Sequence, residues 1–500
     1  MAKLRHNIIA NFISQGWLAL VGVVFSPIYI RMLGMEAYGL VGIYLSMQGL
    51  LFVLDLGLSA ALTRELARST NAENPHRAAH DVFHTIERLF LPLCALITLL
   101  SLMASGLIAE YWLRPASMDD AHVARAMLLI CLAITAQWPA AFYAGGLVGL
   151  ERQVPLGMTN VLFTTLRWAM VIPVMWWANS SIEVFLGWQI GVSAVQSLVM
   201  RRMLIRELPP SNHQPRFDRE LVFALKGFAL GLFGIAVLSF TLVQADRIVL
   251  SHVLPLDAFG KYVLAATAAG LLSRGLYPFF IALYPRFSGL VARNDQQRLL
   301  RLYRVGNGMV AALGGAVAAI ICVFPADILR LWTGDAALAG ETAPVLAILA
   351  AGMLLNGLMS LSYALQLAHG WTRLSLWLNA ASVIAMIPVT FWMARHHGMM
   401  GAASCWLALN LFNFLFVVPY IHARLLPPVM LVWFRDVLLP VFAAFAVAFA
   451  AHLLVQVPED FLPGCLVLAA ISLSSLGASI LVCMAIQGLS PASMVKTINA

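Results

Sequence analysis

Charge is what this chain has least of. Only 11% of its 500 residues are Asp, Glu, Lys or Arg, while 61% are hydrophobic, and mean hydropathy is +0.86. A soluble domain carries roughly 25% charged residues, so a water-exposed surface over most of the chain is excluded. Cysteine is scarce too. Cys94, Cys131, Cys322, Cys405, Cys465 and Cys483 all lie in apolar runs and no CxxC pair occurs, so they read as packing residues, with no disulfide framework and no thiolate metal site. The segments on the side away from the N-terminus are short and no nucleophile–base arrangement stands out, which argues against a membrane enzyme, and no cofactor motif stands out. His76, His80 and His84 recur every four residues, but no acid or cysteine completes a metal-ligand pattern, and a solvated helix is the expected reading.

What fills the chain instead is a succession of runs of about 20 apolar residues, each long enough to cross a bilayer as a helix. With charges as boundaries, fourteen spans are expected at 7–30, 38–62, 89–112, 126–150, 154–177, 184–203, 227–250, 259–284, 305–326, 343–368, 374–394, 399–422, 437–455 and 464–487. The first follows Met1, Lys3 and Arg5 without a small-residue cleavage site after a short core, so it is expected to be a retained span. Most of the 31 Lys and Arg residues lie on the side of the N-terminus, and only Arg31, Arg114, Arg125, Lys261, Arg330 and Arg395 fall between spans on the other. The positive-inside rule then puts both termini in the cytoplasm. The net charge of +8 faces the anionic inner leaflet and needs no nucleic acid to explain it.

A repeat runs through this pattern. LGMEAYG at 33–39 and LPLDAFG at 254–260 share Leu, acid, Ala, aromatic and Gly at an offset of 221; IPVMWW at 172–177 and IPVTFW at 387–392 follow at 215, and Trp188 and Trp406 at 218. Six spans separate the copies, an even number, so the halves share one orientation and are related about an axis along the membrane normal. The expected fold is an all-α polytopic bundle: a first six-helix half over 1–205, a polar, Pro-rich cytoplasmic linker at 206–226, a second half over 227–425, and two additional helices at 426–500.

Polar residues inside the spans recur at three, four and seven: Asn11 and Gln15, Gln48 and Asp55, Asn160, Thr164 and Arg167, Gln189, Ser193 and Gln196, Asn410 and Asn413. Each set therefore shares a helix face. Interhelical hydrogen bonding is the ordinary explanation for the amides and hydroxyls. Charges cost about 2.5–3.5 kcal/mol at the centre of a span, so Arg167, Arg274 and Asp55 need a partner or a polar cavity. Arg167 corresponds to Ser382 at the 215 offset, so the fold itself does not demand arginine there. Asp246 and Arg247, adjacent near the outer end of the seventh span, suit a snorkelling pair or a gate as well as a substrate contact.

FVLDLGLSAALTRELAR at 52–68, QADRIVLSHVLPLDAFGKY at 244–262, YPRFSGLVARNDQQ at 284–297 and ILRLWTG at 328–334, together with the two parallel halves, resemble the Wzx-type O-antigen flippases, the polysaccharide-exporter branch of the multidrug/oligosaccharidyl-lipid/polysaccharide superfamily. That resemblance implies export of an undecaprenyl-diphosphate-linked oligosaccharide across a bacterial inner membrane by alternating access, with membrane lipids around it and a polysaccharide polymerase and chain-length proteins as partners. In the related lipid II flippases, arginines on the first, second and eighth spans hold the diphosphate. Arg274 matches the eighth-span position, whereas Arg31 and Arg64 lie only at the ends of the first two spans. The substrate candidates are accordingly Arg274, Arg167, Arg64, Asn160, Gln15 and Gln48. Asp55, Asp246 and Arg247 are candidates for H+ or Na+ coupling or for a gate. The alternatives are a cation-coupled multidrug antiporter and, further off, a membrane-embedded polymerase, ligase or acyltransferase. An antiporter of cationic drugs would restore drug resistance but not surface O-antigen in deletion strains, a flippase the reverse, and the two assays side by side check the choice.

Overall fold

The computed structural model describes residues 17, 21–69, 75–210, 215–426 and 429–488. Gln15, one of the candidate site residues, lies outside them. Among the described residues all regular structure is helical, as it must be where lipid offers no partner for a free backbone N–H or C=O. The helices are α1 (Val21–Leu33), α2 (Met35–Gln48), α3 (Leu50–Leu54), α4 (Leu58–Ser69), α5 (Pro75–Tyr111), α6 (Asp120–Gly149), α7 (Gln153–Trp168), α8 (Val171–Ala178), α9 (Ile182–Glu207), α10 (Arg219–Val253) and α11 (Leu256–Ala292). They continue as α12 (Gln296–Val323), α13 (Pro325–Thr333), α14 (Ala336–Ala368), α15 (Thr372–Phe412), a π turn (Asn413–Val417), α16 (Val418–Leu425), α17 (Met430–Leu454) and α18 (Phe461–Gln487).

Ten stretches of helix among the described residues are long and apolar enough to cross a bilayer, and the chain is a multi-pass membrane protein. One of the ten, Thr372–Leu425, runs through the expected eleventh and twelfth spans, which part at Gly398, a residue at φ 59°. The expected second span is not one helix but three, α2, α3 and α4. The break falls at Asp55–Gly57, where Leu56 (φ 49°) and Gly57 (φ 75°) both turn left-handed. The expected fifth span likewise divides, at Ala169–Met170, into α7 and α8.

Two compact units divide at Gly260. In the first, α6 packs along α9 and receives α4, with Gly145 and Gly149 of the GGLVG step facing the backbone of Ser59 and Thr63. Thr63 Oγ1 donates to the Gly145 carbonyl at 2.7 Å across this contact. Phe90 of α5 stacks on Phe142 at 4.1 Å and meets Trp138 edge-on at 5.1 Å. Glu87 is buried and takes the Arg201 guanidinium in two-pronged fashion at 2.7 and 3.2 Å, with Tyr143 donating to the same carboxylate. His76 and His80 bond the carbonyls of Pro210 and Pro209, each at 2.9 Å.

The two repeat motifs meet inside this unit. LGMEAYG turns the chain from α1 into α2, and LPLDAFG turns α10 into α11. A Cβ on Gly39 would stand 2.3 Å from the Leu256 carbonyl oxygen, and one on Gly260 would stand 2.7 Å from that of Met35. Each motif's glycine therefore admits the backbone of the other motif. Glu36, from the first motif, accepts the backbone N–H groups of Ala116 (2.7 Å), Ser117 (3.1 Å) and Met118 (3.2 Å) and the Ser117 hydroxyl (2.5 Å). Partial burial acts to raise its pKa, but the bonds from Ser117, Met118 and Ala116 prevail and hold the carboxyl below its usual range.

In the second unit α12 is the central helix, glycine- and alanine-rich and enclosed by α14, α17 and α18. Asp436 of α17, 1% exposed, holds Arg304 of α12 at 2.7 Å and Arg435 at 3.0 Å. α17 presents a stripe through Trp433, Val437, Val441, Ala444 and Ala448 to the bundle, while Phe442, Phe449 and Leu453 stay exposed, as a lipid-facing helix requires. Tyr303, Ser362 and His422 form a buried hydroxyl–imidazole chain, at 2.7 and 2.8 Å from the tyrosine oxygen.

Gly39→Ala forces a methyl group against a backbone oxygen that no rotamer change can move. It is expected to cost about 1–3 kcal/mol and to lower the thermal midpoint of the detergent-solubilised protein, whereas Gly270→Ala, with open space at its Cβ, leaves the midpoint unchanged. Equal midpoints for both variants would rule out the crossing.

Candidate functional site

Arg167 sits at the end of α7, 6% exposed. Its Nη2 donates to Gln196 Oε1 at 2.6 Å and to Ser193 Oγ at 3.2 Å, both on α9. Gln189, one turn earlier on α9, donates from Nε2 to the Arg167 carbonyl at 3.1 Å. The three polar residues of the sixth span thus share one face and spend it on a single arginine. Neutral partners only are supplied: among the described residues Arg167 makes no ion pair, and its Nε, Gln189 Oε1 and the hydroxyl of the neighbouring Tyr44 are buried without a hydrogen bond. A guanidinium enclosed by dipoles and lacking a carboxylate keeps its full charge available to an anion.

The remaining candidates divide by surroundings. Asp55 is 9% exposed and caps α4, accepting the Ser59 N–H at 2.9 Å and the Ser59 hydroxyl at 2.6 Å. Its position is therefore set by the break in the second span, a feature that apolar patterning does not announce. Gln48 donates to Gln137 Oε1 at 3.0 Å, tying α2 to α6. Asn160 is half-buried on α7, two turns before Arg167 on the same face. Arg64 lies half-exposed on α4, with Nε 3.5 Å from Glu65 Oε1. Asp246 and Arg247 are half-buried on α10. Arg274 is exposed on α11, directly after Ser273, which lines a cavity.

That cavity, of about 660 Å³, lies within the second unit and was not foreseen from the sequence. From α11 come Ser273, Tyr277 and Phe280; from α14 Asn356, Ser360, Tyr363 and Gln366; from α15 Ser375, Asn379 and Ser382; and from the π turn and α16 Asn413, Val417 and Ile421. On each helix the positions run i, i+4 and i+7 or i+8, and α11 extends the face to Tyr284. Reading aromatic and hydroxyl residues together at that spacing, on three helices at once, would have found it. Asn356 Nδ2 donates to Asn410 at 3.0 Å, and Gln366 Nε2 to Ser375 at 2.8 Å and to the Trp371 carbonyl at 2.7 Å. The π turn has a local cause: Pro419 lacks an N–H and its ring would crowd the carbonyl one turn back, so the helix widens before it.

Residues 4–291 match the family described as "Polysaccharide biosynthesis protein". A Shigella flexneri protein described as a candidate O-antigen transporter is 22% identical over 424 residues, which cover 81% of this chain and 94% of that protein. Among solved structures, the lipid II flippase MurJ in an inward closed conformation shares the fold with a TM-score of 0.69, at 14% identity over 94% of this chain and 97% of that one. An inward-facing multidrug resistance MATE family transporter of the MOP superfamily gives 0.64, at 16% identity over 83% and 98%.

The two oxygens of Asp55 separate a structural from a titrating role. Asp55→Asn keeps an oxygen for the Ser59 N–H and is expected to fold at wild-type thermal stability, while Asp55→Ala loses the cap and about 0.5–2 kcal/mol. A wild-type thermal midpoint for Asp55→Ala would show that the cap carries no stability.

Proposed function

Because the chain belongs to the polysaccharide biosynthesis protein family, we propose that it moves an undecaprenyl-diphosphate-linked oligosaccharide, an O-antigen or similar repeat unit, from the cytoplasmic to the periplasmic leaflet of a bacterial inner membrane. The single observation that supports this reading is Arg167. It is a guanidinium buried within a membrane-spanning unit, fastened by Gln196 and Ser193, with no carboxylate among the described residues to neutralise it. A site for a cationic drug needs the opposite sign.

The physical task follows from the substrate. A diphosphate–sugar headgroup cannot cross hydrocarbon, whereas its polyprenyl tail never has to leave it, so the carrier supplies a polar, cationic path open sideways to lipid. In this proposal Arg167, Arg274 and Arg64 are the cations that hold the diphosphate, with Asn160, Gln48 and Gln15 as polar residues of the site. The planar guanidinium fork matches two phosphate oxygens at once. Two parallel six-helix halves, 1–205 and 227–425, joined by the cytoplasmic linker and followed by two additional helices, rock between inward and outward access. Both termini lie in the cytoplasm, by the asymmetry of Lys and Arg between the loops. Outward movement of two negative charges is favoured by an inside-negative potential, by about 4–5 kcal/mol per 100 mV if they cross the whole field. A cation gradient then serves the reset, with Asp55 or Asp246 binding the ion and Arg247 beside it at the gate. A polysaccharide polymerase and chain-length proteins take up the delivered unit.

Arg167→Gln and Arg274→Ala are each expected to reduce surface O-antigen at least tenfold in a complemented deletion strain, at unchanged protein level in the membrane. Arg167→Lys recovers only part of the loss, because an ammonium offers no planar fork. Full display with both Arg167→Ala and Arg274→Ala would defeat the cationic path.

A further inference from the structure

The chamber in the second unit is polar yet carries no charge, and this combination restricts what can fill it. We propose that it docks the uncharged sugar residues of a glycan, its aromatic wall stacking on the faces of sugar rings and its amides and hydroxyls pairing with their edges. The proposal rests on the flippase reading for how the glycan arrives, and it concerns the second unit by itself.

Charge excludes two ligand classes. Among the described residues no Asp, Glu, Lys, Arg or His lines the chamber, so a cationic drug finds no counter-ion there and a diphosphate finds no cation. Hydrogen bonding disfavours a third. More than half of the lining residues carry a side-chain amide or hydroxyl, and among the described residues Asn379, Ser382 and Asn413 spend theirs on no protein partner. Ser360 Oγ is shielded and unbonded as well. A polyprenyl chain in this space would leave Ser360, Asn379, Ser382 and Asn413 unsatisfied.

The aromatic wall supplies what a sugar needs and water does not. Tyr277 and Phe280 lie 6.0 Å apart at an interplanar angle of 11°, and Phe280 and Tyr363 lie 6.0 Å apart at 15°. The rings are nearly parallel and stacked in series, and Tyr277 remains 59% and Tyr363 43% exposed. A pyranose is amphipathic in the complementary sense: axial C–H bonds, slightly positive, cover a face, and hydroxyls ring its edge. The C–H face suits the negative face of an aromatic ring, and the hydroxyls suit amides that both donate and accept. The volume of about 660 Å³ falls within the roughly 300–1,000 Å³ of pockets that enclose small ligands.

The internal repeat gives a separate line of support. At the 215 offset, Asn160, Thr164 and Arg167 of α7 correspond to Ser375, Asn379 and Ser382 of α15. The polar face has been kept in both copies, ending in a cation in the first and in a hydroxyl on the chamber wall in the second.

The test uses the full-length protein in lipid nanodiscs and saturation-transfer NMR with methyl glycosides of neutral hexoses and N-acetylhexosamines as probes. Saturation transfer to sugar ring protons is expected to persist in excess inorganic pyrophosphate and to fall at least fivefold in Tyr363→Leu and in Ser382→Phe. Unchanged transfer in variants of wild-type thermal stability overturns the proposal, as does complete competition by pyrophosphate. If Tyr363→Leu does not fold, Ser382→Phe answers the question by filling the space. Surface O-antigen is scored in parallel for the wild type alone. No display with any host glycan, beside a saccharide signal that responds as expected, removes the flippase reading and leaves the docking site standing. Full display with an unresponsive signal does the converse.

Discussion

A chain surrounded by lipid has to satisfy its own backbone, because hydrocarbon offers no donor or acceptor in exchange. This constraint makes the described residues helical, and it also governs where the helices break. At Asp55–Gly57 two residues turn left-handed and the second span stops, and the interruption holds because the Asp55 carboxylate takes up the Ser59 N–H that the broken helix exposes. Before Pro419 the helix widens into a π turn. Beyond the spans, where the strand of chain after α5 presents three successive N–H groups, Glu36 supplies the acceptor. Each irregularity comes with its own side-chain or steric remedy.

The same rule applied to side chains explains the two polar interiors. In the first unit the amides and hydroxyls of the sixth span gather on Arg167, since a lone guanidinium in a low-dielectric bundle needs several dipoles if it is denied an acid. In the second unit the corresponding helix face has no cation to serve, and its polar groups line open space instead.

How far the sequence could be read depends on which force writes the feature. Long apolar runs follow from the solvent, so the all-helical, membrane-spanning fold was legible directly from composition, and the repeat motifs placed the hairpins before α2 and α11. That Gly39 and Gly260 admit each other's motif is a matter of tertiary approach, and a single sequence carries only the glycine. The Arg167 cluster was visible as three polar residues at helical spacing, though not that all three would serve one arginine. Asp55 was conspicuous as a charge, but its cap required knowing that α3 ends there. The chamber of the second unit escaped because its residues are individually ordinary. Tyr277, Phe280, Tyr363, Ser375 and Asn379 carry no signal one by one, and they become a site only where three helices bring them to one wall.

The segment between α9 and α10 has a composition that suggests a loose tether, rich in proline and polar residues. Its ends are bolted down. His76 and His80 grip the carbonyls of Pro210 and Pro209, Asp81 takes the Arg216 N–H at 2.7 Å, and Thr85 takes that of Asp218 at 3.0 Å, all from successive turns of α5. The start of α10 is thereby indexed to the first turns of α5, so a tilt of α5 would pass directly to α10.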